Sequence, residues 1–285
     1  MTPFDARACQ LGEGPLWHPE IQTLFWFDII GKRLLSRTGA QTREWHFDRH
    51  YSAAGWVDRK TLLIASEDAL WRFEIATGAQ EKVCPLDADD PVTRSNDGRA
   101  DPWGGFWIGT MGKQAERDAG AIYRYYRGDL RKLFSPITIA NAISFAPDRS
   151  RAYFTDTVTQ KVMRQPLAPD TGWPEGAPQV HIDLTAKRLN PDGAVTDAEG
   201  NLWIACWGAA CVACFDPDGT ERLRFDIPAR QPTCPAFGGA AFRDLHVTSA
   251  TDGLRTEEME KRPLNGTTFV IENAGQGVPE PRVIL

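Results

Sequence analysis

Short apolar runs separated by polar turns fill this chain from one end to the other. Residues 190–205 are a clear example, because an apolar strand is followed by a polar turn carrying Gly200 and then by a second apolar strand. Such alternation predicts β-hairpins. No long segment repeats its apolar residues with the 3.6-residue period of a helix. We therefore predict an all-β fold class with few helices.

The same hairpin pattern recurs about every 45 residues, a spacing typical of propeller blades. Six units can be recognised, and their first strands fall near residues 13–17, 53–57, 96–100, 141–145, 192–196 and 235–239. Each unit holds enough apolar runs for a four-stranded sheet, and six sheets would surround a central channel. No linker rich in proline or serine divides the chain, so we predict a single six-bladed β-propeller domain over residues 1–285. Ring closure should pair Pro3–Cys9 in the last blade near Arg282–Leu285.

Composition limits the partners. Hydrophobic residues make up 42% of the chain and the net charge is −6, with a pI near 5.5. Nucleic acid and anionic membranes prefer a basic face, so neither is an expected partner. The N-terminus shows no signal peptide, and no apolar run approaches the roughly 20 residues of a membrane span. We expect a cytoplasmic protein, either a monomer or a weak homo-oligomer, because a closed propeller exposes few sheet edges.

Three of the six cysteines have a spacing superficially similar to an iron–sulfur ligand run. Cys206, Cys211 and Cys214 lie, however, in two apolar strand-like segments, where thiols pack as small hydrophobic groups. We expect free, structural thiols, since an intracellular protein rarely forms disulfides.

The residue at the start of each first strand changes from unit to unit, and in a propeller these positions converge at one mouth of the channel. The six positions hold Glu13, Ala53 or Ala54, Asn96, Asn141, Asp192 and Gly238. Asn and Asp also suit turns, so turn chemistry explains any single position equally well. Glu13 is different, since Glu has no such role in a turn. Two acids and two amides facing one channel would need a cation, and oxygen ligands favour calcium or magnesium, then manganese.

Several motifs, in order and at comparable spacing, resemble the senescence-marker-protein/gluconolactonase family, whose members include regucalcin, gluconolactonase and xylonolactonase. These motifs are Leu11–Trp17, Arg94–Gly98, Gly109–Met111, Asn141, Pro191–Gly193 and Phe237–Gly239. The resemblance covers almost the whole chain. It implies a six-bladed propeller that binds one divalent metal ion in its channel and hydrolyses sugar lactones. Calcium is the first expectation for the metal, with zinc, manganese, magnesium and iron as alternatives.

The resemblance also implies roles for individual residues. Glu13, Asn141 and Asp192 match the three metal ligands of the family. Asn96 matches a residue close to the metal's water and the substrate, Arg94 matches a substrate-binding arginine, and Glu116 matches a lid-loop glutamate that contacts sugar hydroxyls. Two features depart from the family pattern. Ala142 stands where a glycine is usual, and the lid over residues 113–119 is shorter than that of regucalcin.

These roles suggest a mechanism in which Asp192 takes the proton of the attacking water while Arg94 and Asn96 orient the lactone ring and stabilise the oxyanion. Two other functions remain open: a propeller hydrolase of another ester or an organophosphate, and a non-catalytic metal-binding scaffold. Two further residues could face the substrate, namely His50 before the second inner strand and Trp207 at the end of a strand.

Overall fold

Six four-stranded antiparallel sheets surround a central channel in the computed structural model, which describes all 285 residues. Within each sheet the strands lie in chain order from the channel outward, except in the sixth, and the predicted all-β, six-bladed propeller is confirmed. The innermost strands of neighbouring blades pack against one another around the whole ring.

The strands of the first three blades follow directly from the hairpin pattern. Blade 1 consists of β2 to β5, at Gly12–His18, Thr23–Asp28, Arg33–Thr38 and Gln41–His46. Blade 2 consists of β6 to β9, at Tyr51–Asp58, Thr61–Ser66, Ala69–Glu74 and Gln80–Pro85. Blade 3 consists of β10 to β13, at Thr93–Ala100, Phe106–Gly112, Gly120–Tyr126 and Asp129–Ile137.

The second half of the chain repeats this arrangement. Blade 4 consists of β14 to β17, at Ala140–Phe145, Arg151–Asp156, Lys161–Pro166 and Gln179–Asp183. Blade 5 consists of β18 to β21, at Asn190–Thr196, Leu202–Trp207, Cys211–Phe215 and Glu221–Asp226. Blade 6 begins with β22 to β24, at Gln231–Gly238, Asp244–Ala250 and Thr268–Ile271.

Helices are as few as the sequence predicts. The only α-helix, α1, covers Thr256–Lys261, and two short 3-10 helices cover Thr157–Thr159 and Thr185–Lys187. None of them has the length and apolar character that crossing a membrane requires. All six cysteines are free, as expected.

The ring closes through the N-terminus. Strand β1, Thr2–Asp5, is the outermost strand of blade 6 and pairs antiparallel with β24, with Pro3 opposite Phe269. The expected pairing in the last blade is therefore confirmed, but the expected neighbour at residues 282–285 is wrong. Burial explains the difference, because Phe269 is fully buried and β24 would otherwise leave an open sheet edge.

The C-terminal segment instead crosses the far end of the channel. The backbone N–H of Val283 donates to the carbonyl of Trp56 in blade 2, and that of Ile284 donates to the carbonyl of Gly104 in blade 3, both at 2.8 Å. The carboxylate of Glu280 forms an ion pair with the buried guanidinium of Arg99 on β10. This segment therefore covers the far end of the channel, where only a small cavity of about 220 Å³ remains.

The core lies between the blades and within them. Apolar side chains from adjacent sheets form buried clusters, such as the one that joins blades 4 and 5 around Tyr153 and Ile204. Trp26, Trp107 and Trp203 are fully buried at blade centres. These large rings fill the space between twisted sheets and hold the inner strands in register.

Candidate active site

A cavity of about 630 Å³ lies at the open end of the channel, where the innermost strands begin. Five of the six residues singled out in the sequence line it: Glu13, Arg94, Asn96, Asn141 and Asp192. Each of the five is at most 8% exposed, so solvent or a ligand can reach these side chains only through the cavity.

Local irregularities in strand pairing aim two of these side chains into the channel. The register between the first and second strands shifts directly after Glu13 in blade 1 and directly after Asn141 in blade 4. Such bulges bend a strand and redirect its side chains. The next residue takes the left-handed conformation in both cases, with φ of 54° at Gly14 and 55° at Ala142. A Cβ on Gly14 would lie 2.2 Å from the carbonyl oxygen of Ser52, whereas blade 4 accommodates an alanine.

A chain of hydrogen bonds joins the polar residues of three blades. Nη1 of Arg94 donates to Oδ1 of Asn96 at 2.8 Å, and Nδ2 of Asn96 donates to Oδ1 of Asn141 at 3.0 Å. Nδ2 of Asn141 donates to the hydroxyl of Thr157 at 2.9 Å, and this hydroxyl donates to the carbonyl of Pro191 at 2.8 Å. This series of hydrogen bonds ends at Pro191, next to Asp192. It therefore fixes the amides of Asn96 and Asn141 relative to the carboxylate of Asp192.

This network also decides which donors remain free for a ligand. Nδ2 of Asn96 uses its second hydrogen on the carbonyl of the residue before Asn141, at 3.0 Å. Asn96 therefore has no donor left for an oxyanion, and its observed contacts position its neighbours. Arg94 uses only Nη1, which also donates to the backbone, so Nε and Nη2 have no protein partner and remain available.

Burial raises the pKa of the acids in the cavity. Desolvation, followed by repulsion from Asp97, raises the pKa of Glu13 to about 8, and its carboxylate accepts a single hydrogen bond, from the backbone of Gly14 at 3.0 Å. Desolvation and the charge of Glu13 raise the pKa of Asp192 well above its usual range. Burial also lowers the pKa of Arg94 to about 10 despite the nearby acids. The protein alone thus provides too little positive charge for both acids to ionise.

The charge balance along the channel leads to the same conclusion. The buried groups that interact there are the carboxyl groups of Glu13, Asp97, Asp192 and Glu280 and the guanidinium groups of Arg94 and Arg99. With all six ionised, four negative charges face two positive charges, and two negative charges remain uncompensated. A single divalent cation would supply the missing charge and lower the pKa of both acids.

The donor set fits such an ion. Glu13, Asn141 and Asp192 present only oxygen atoms, which hard cations such as calcium prefer. No group of three or more His, Cys, Asp or Glu side chains is close enough to hold a metal ion. The three candidate ligands do not form such a group, because Asn141 contributes an amide and only Glu13 and Asp192 contribute carboxylates.

The lid over residues 113–119 places Glu116 differently from the other five candidates. Glu116 is exposed and does not line the cavity. Its Oε2 atom accepts a hydrogen bond from the backbone N–H of Gln114 at 2.9 Å and lies where a side chain on Gly112 would be. Glu116 therefore stabilises the turn of the lid, and the lid residues that line the cavity are Lys113, Gln114 and Ala115.

Sequence reasoning missed other parts of the wall. Leu11, Met111 and Ile139 give the cavity an apolar side, and Thr157 closes the hydrogen-bond chain. Leu11 and Met111 belong to motifs recognised in the sequence but were given no role there, and Ile139 and Thr157 carry no distinctive sequence signal. His50 and Trp207 were considered in the sequence, and both line the cavity.

Comparisons with known proteins agree with this architecture. The family model described as "SMP-30/Gluconolactonase/LRE-like region" matches residues 11–251. Pentonolactonase XacC of Haloferax volcanii is 33% identical over 96% of this chain and 95% of its own length. L-arabinolactonase of Azospirillum brasilense is 32% identical over 95% of this chain and 91% of its own length. The crystal structure of a calcium-binding protein, regucalcin, from Agrobacterium tumefaciens has a TM-score of 0.97 and 39% identity, and covers 100% of this chain and 97% of that one.

Proposed function

The chain belongs to the SMP-30/gluconolactonase/LRE-like family, and from this we propose that it is a metal-dependent hydrolase that opens sugar lactones to aldonic acids. The observation that carries the proposal is the pair of buried acids, Glu13 and Asp192, which face one cavity beside an arginine with unused donors. The lactonase names of the relatives agree with it.

Glu13, Asn141 and Asp192 would hold the metal ion, with calcium first among the candidates because all three ligands are oxygens. Zinc, manganese, magnesium and iron are the alternatives to test. When bound, a divalent ion polarises a carbonyl group and lowers the pKa of a water molecule.

The other steps of the reaction are assigned to residues of the protein. Nε and Nη2 of Arg94 donate to the lactone and orient its carbonyl. The carboxylate of Asp192 accepts the proton of the attacking water as the oxygen–carbon bond forms. The bond between the carbonyl carbon and the ring oxygen then breaks, and Asp192 returns the proton to the ring oxygen, which leaves as a hydroxyl group of the aldonic acid. Asn96 holds Arg94 and Asn141 in place.

The experiment measures acid release with a pH indicator on glucono-, galactono-, xylono- and arabinono-lactones. The protein is first stripped with a chelator and then given one metal at a time. We expect one metal to restore hydrolysis of a narrow set of lactones. A protein that binds metal but hydrolyses no lactone would contradict the proposal.

Two substitutions separate the roles. Asp192→Asn should abolish turnover, whereas Arg94→Ala should mainly raise KM, because it removes binding donors. Asp218→Asn is the matched control, since it removes an exposed carboxylate from a turn of the same blade and should change neither constant. Full activity in Asp192→Asn would refute the role of that residue.

A further inference from the structure

Three charged or titratable side chains, each only partly buried, form a cluster at the cavity. His50 immediately precedes β6, Glu67 immediately follows β7, and Lys113 immediately follows β11. Nδ1 of His50 lies 2.5 Å from Oε2 of Glu67, and Nζ of Lys113 lies 3.4 Å from its Oε1. One carboxylate therefore holds a histidine of blade 2 and a lysine of blade 3 together.

The contact with Glu67 fixes the orientation of the His50 ring. A carboxylate can only accept, so Nδ1 of His50 carries the hydrogen, and in the neutral ring Nε2 is an acceptor. Nε2 has no hydrogen-bond partner in the protein, and His50 lines the cavity. Nε2 is thus free to form a hydrogen bond with a ligand in the cavity.

Lys113 provides a matching donor. Its Nζ donates to the carbonyl of Pro91 at 3.0 Å and contacts Glu67, which leaves one of its three hydrogens without a protein partner. Its backbone N–H donates to the carbonyl of Val92 at 2.9 Å, which anchors the start of the lid. Lys113 also lines the cavity.

The cluster has little net charge, because Glu67 offsets Lys113. Partial burial opposes ionisation of Glu67, but its hydrogen bonds with His50 and the nearby Lys113 outweigh that effect and lower its pKa. An anionic substituent would need unpaired positive charge at the mouth. An adjacent acceptor and donor suit hydroxyl groups, each of which both donates and accepts.

The opposite side of the cavity carries an aromatic ring. Trp207 lies at the end of β19 in blade 5, which stands opposite blade 2 in a ring of six, and its partly buried ring lines the cavity and packs against the apolar cluster that includes Leu11. A polar edge facing an aromatic ring is the usual arrangement for an uncharged sugar.

We propose that His50 and Lys113, held by Glu67, form a subsite that binds the hydroxyl groups of the exocyclic chain of an uncharged aldonolactone. This inference rests on the proposed function and names which part of the substrate faces the mouth. The lactone carbonyl then lies deeper in the cavity, beside Asp192, and the exocyclic chain of the substrate extends toward the mouth. His50 and Lys113 touch the substrate, whereas Glu67 positions them.

The test varies the length of the exocyclic chain. The substrates are 1,4-lactones with no exocyclic carbon (erythronolactone), one (a pentonolactone) and two (a hexonolactone), together with a hexonolactone that carries a terminal phosphate. We expect His50→Ala and Lys113→Met to raise KM for the pentono- and hexonolactone by roughly 3- to 10-fold each, as the loss of one hydrogen bond predicts. The values of kcat should stay within twofold, and KM for erythronolactone should not change.

Two further variants separate positioning from structural damage. Glu67→Gln should reproduce the chain-dependent rise in KM without lowering the melting temperature. Glu74→Gln is the matched control, because it changes an exposed acid of the same blade outside the cavity. Equal effects on all lactones, no effect on any, or faster hydrolysis of the phosphorylated lactone by the wild type would each overturn the proposal.

A binding measurement keeps this inference distinct from the proposed function. Lactam analogues of the same three lactones resist hydrolysis, and calorimetry gives their affinity without turnover. If the wild type hydrolyses no lactone, the proposed function fails, yet a chain-dependent loss of lactam binding in His50→Ala would still support the subsite. A loss of lactam affinity in His50→Ala that does not depend on the length of the exocyclic chain would refute the subsite.

Discussion

Nδ2 of Asn96 donates a hydrogen bond to Oδ1 of Asn141 at 3.0 Å, so two polar residues at the starts of neighbouring inner strands are joined directly. The amide of Asn96 is fully used, since it also accepts from Arg94 and donates to a backbone carbonyl. We interpret Asn96 as the residue that sets the spacing between Arg94 and Asn141, which are proposed to bind the substrate and the metal ion.

Asn96→Ala should therefore lower kcat/KM by about 10²-fold although the residue offers the substrate no donor, because displacement of positioned groups by about 1 Å has costs of that order. Asn96→Asp keeps the acceptor for Arg94 but removes both donors, and it should be similarly impaired. Steady-state kinetics on the preferred lactone provide the measurement. Activity within threefold of wild type in Asn96→Ala would contradict the positioning role.

The raised pKa values predict how stability of the metal-free protein depends on pH. The pKa of Glu13 is about 8 in the folded protein and about 4.5 when unfolded. The unfolded chain thus releases this proton first, so the contribution of Glu13 to stability is fully present below pH 4.5 and is lost as the pH rises to 8. The pKa of Asp192 shifts in the same direction.

Melting curves recorded with chelator and with calcium, at pH 5 and pH 8, test this dependence. With chelator, Glu13→Gln should match the wild type at pH 5 and exceed its melting temperature at pH 8. Calcium should stabilise the wild type more at pH 8, where protons no longer compete, and should have little effect on the variant. A variant less stable than wild type at pH 8 with chelator would show that Glu13 is not an uncompensated acid.

The ion pair at the closed end of the channel predicts a large effect from a residue distant from the cavity. Glu280→Ala leaves the guanidinium of Arg99 buried without its carboxylate, which costs about 3–5 kcal/mol in the free energy of unfolding. Glu272→Ala, an exposed acid of the same segment, should cost less than about 0.5 kcal/mol. Urea unfolding measures both, and a loss below about 1 kcal/mol in Glu280→Ala would mean that the pair is not important for stability.

The left-handed backbone at Ala142 predicts that this position tolerates substitution by glycine unusually well. Its φ of 55° costs an alanine about 1–2 kcal/mol, and glycine would relieve this strain at the expense of a buried methyl group, about 0.8 kcal/mol. Ala142→Gly should therefore change the free energy of unfolding by about 1 kcal/mol or less. Ala205→Gly, at a fully buried position of β19 that is not left-handed, should lose about 1.5 kcal/mol. Equal losses in the two variants would show that Ala142 is unstrained.

The fold could be predicted because its signals are local. Alternation of apolar runs and turns specifies hairpins, and six similar units can bury their faces only by packing in a ring, so the six-bladed propeller followed from the repeat alone. The location of Glu13 and Asp192 in one cavity followed from the same regularity, because equivalent positions of equivalent strands face the same axis. The departure from the family's glycine singled out Ala142, and the structure decides its conformation, which is left-handed with a φ of 55°.

Contacts between distant segments could not be predicted in this way. The sequence placed residues 282–285 beside the N-terminal strand, but the tertiary structure pairs Pro3 with Phe269 and sends the C-terminal segment across the channel to Arg99. Glu116 has the residue type expected of a lid contact, yet its carboxylate accepts a hydrogen bond from the backbone N–H of Gln114 within the lid. The repeat thus determined which residues surround the axis, because strand geometry propagates along the chain. Only the folded structure decided which side chains find partners, since hydrogen bonds and ion pairs depend on distances between segments that no local pattern encodes.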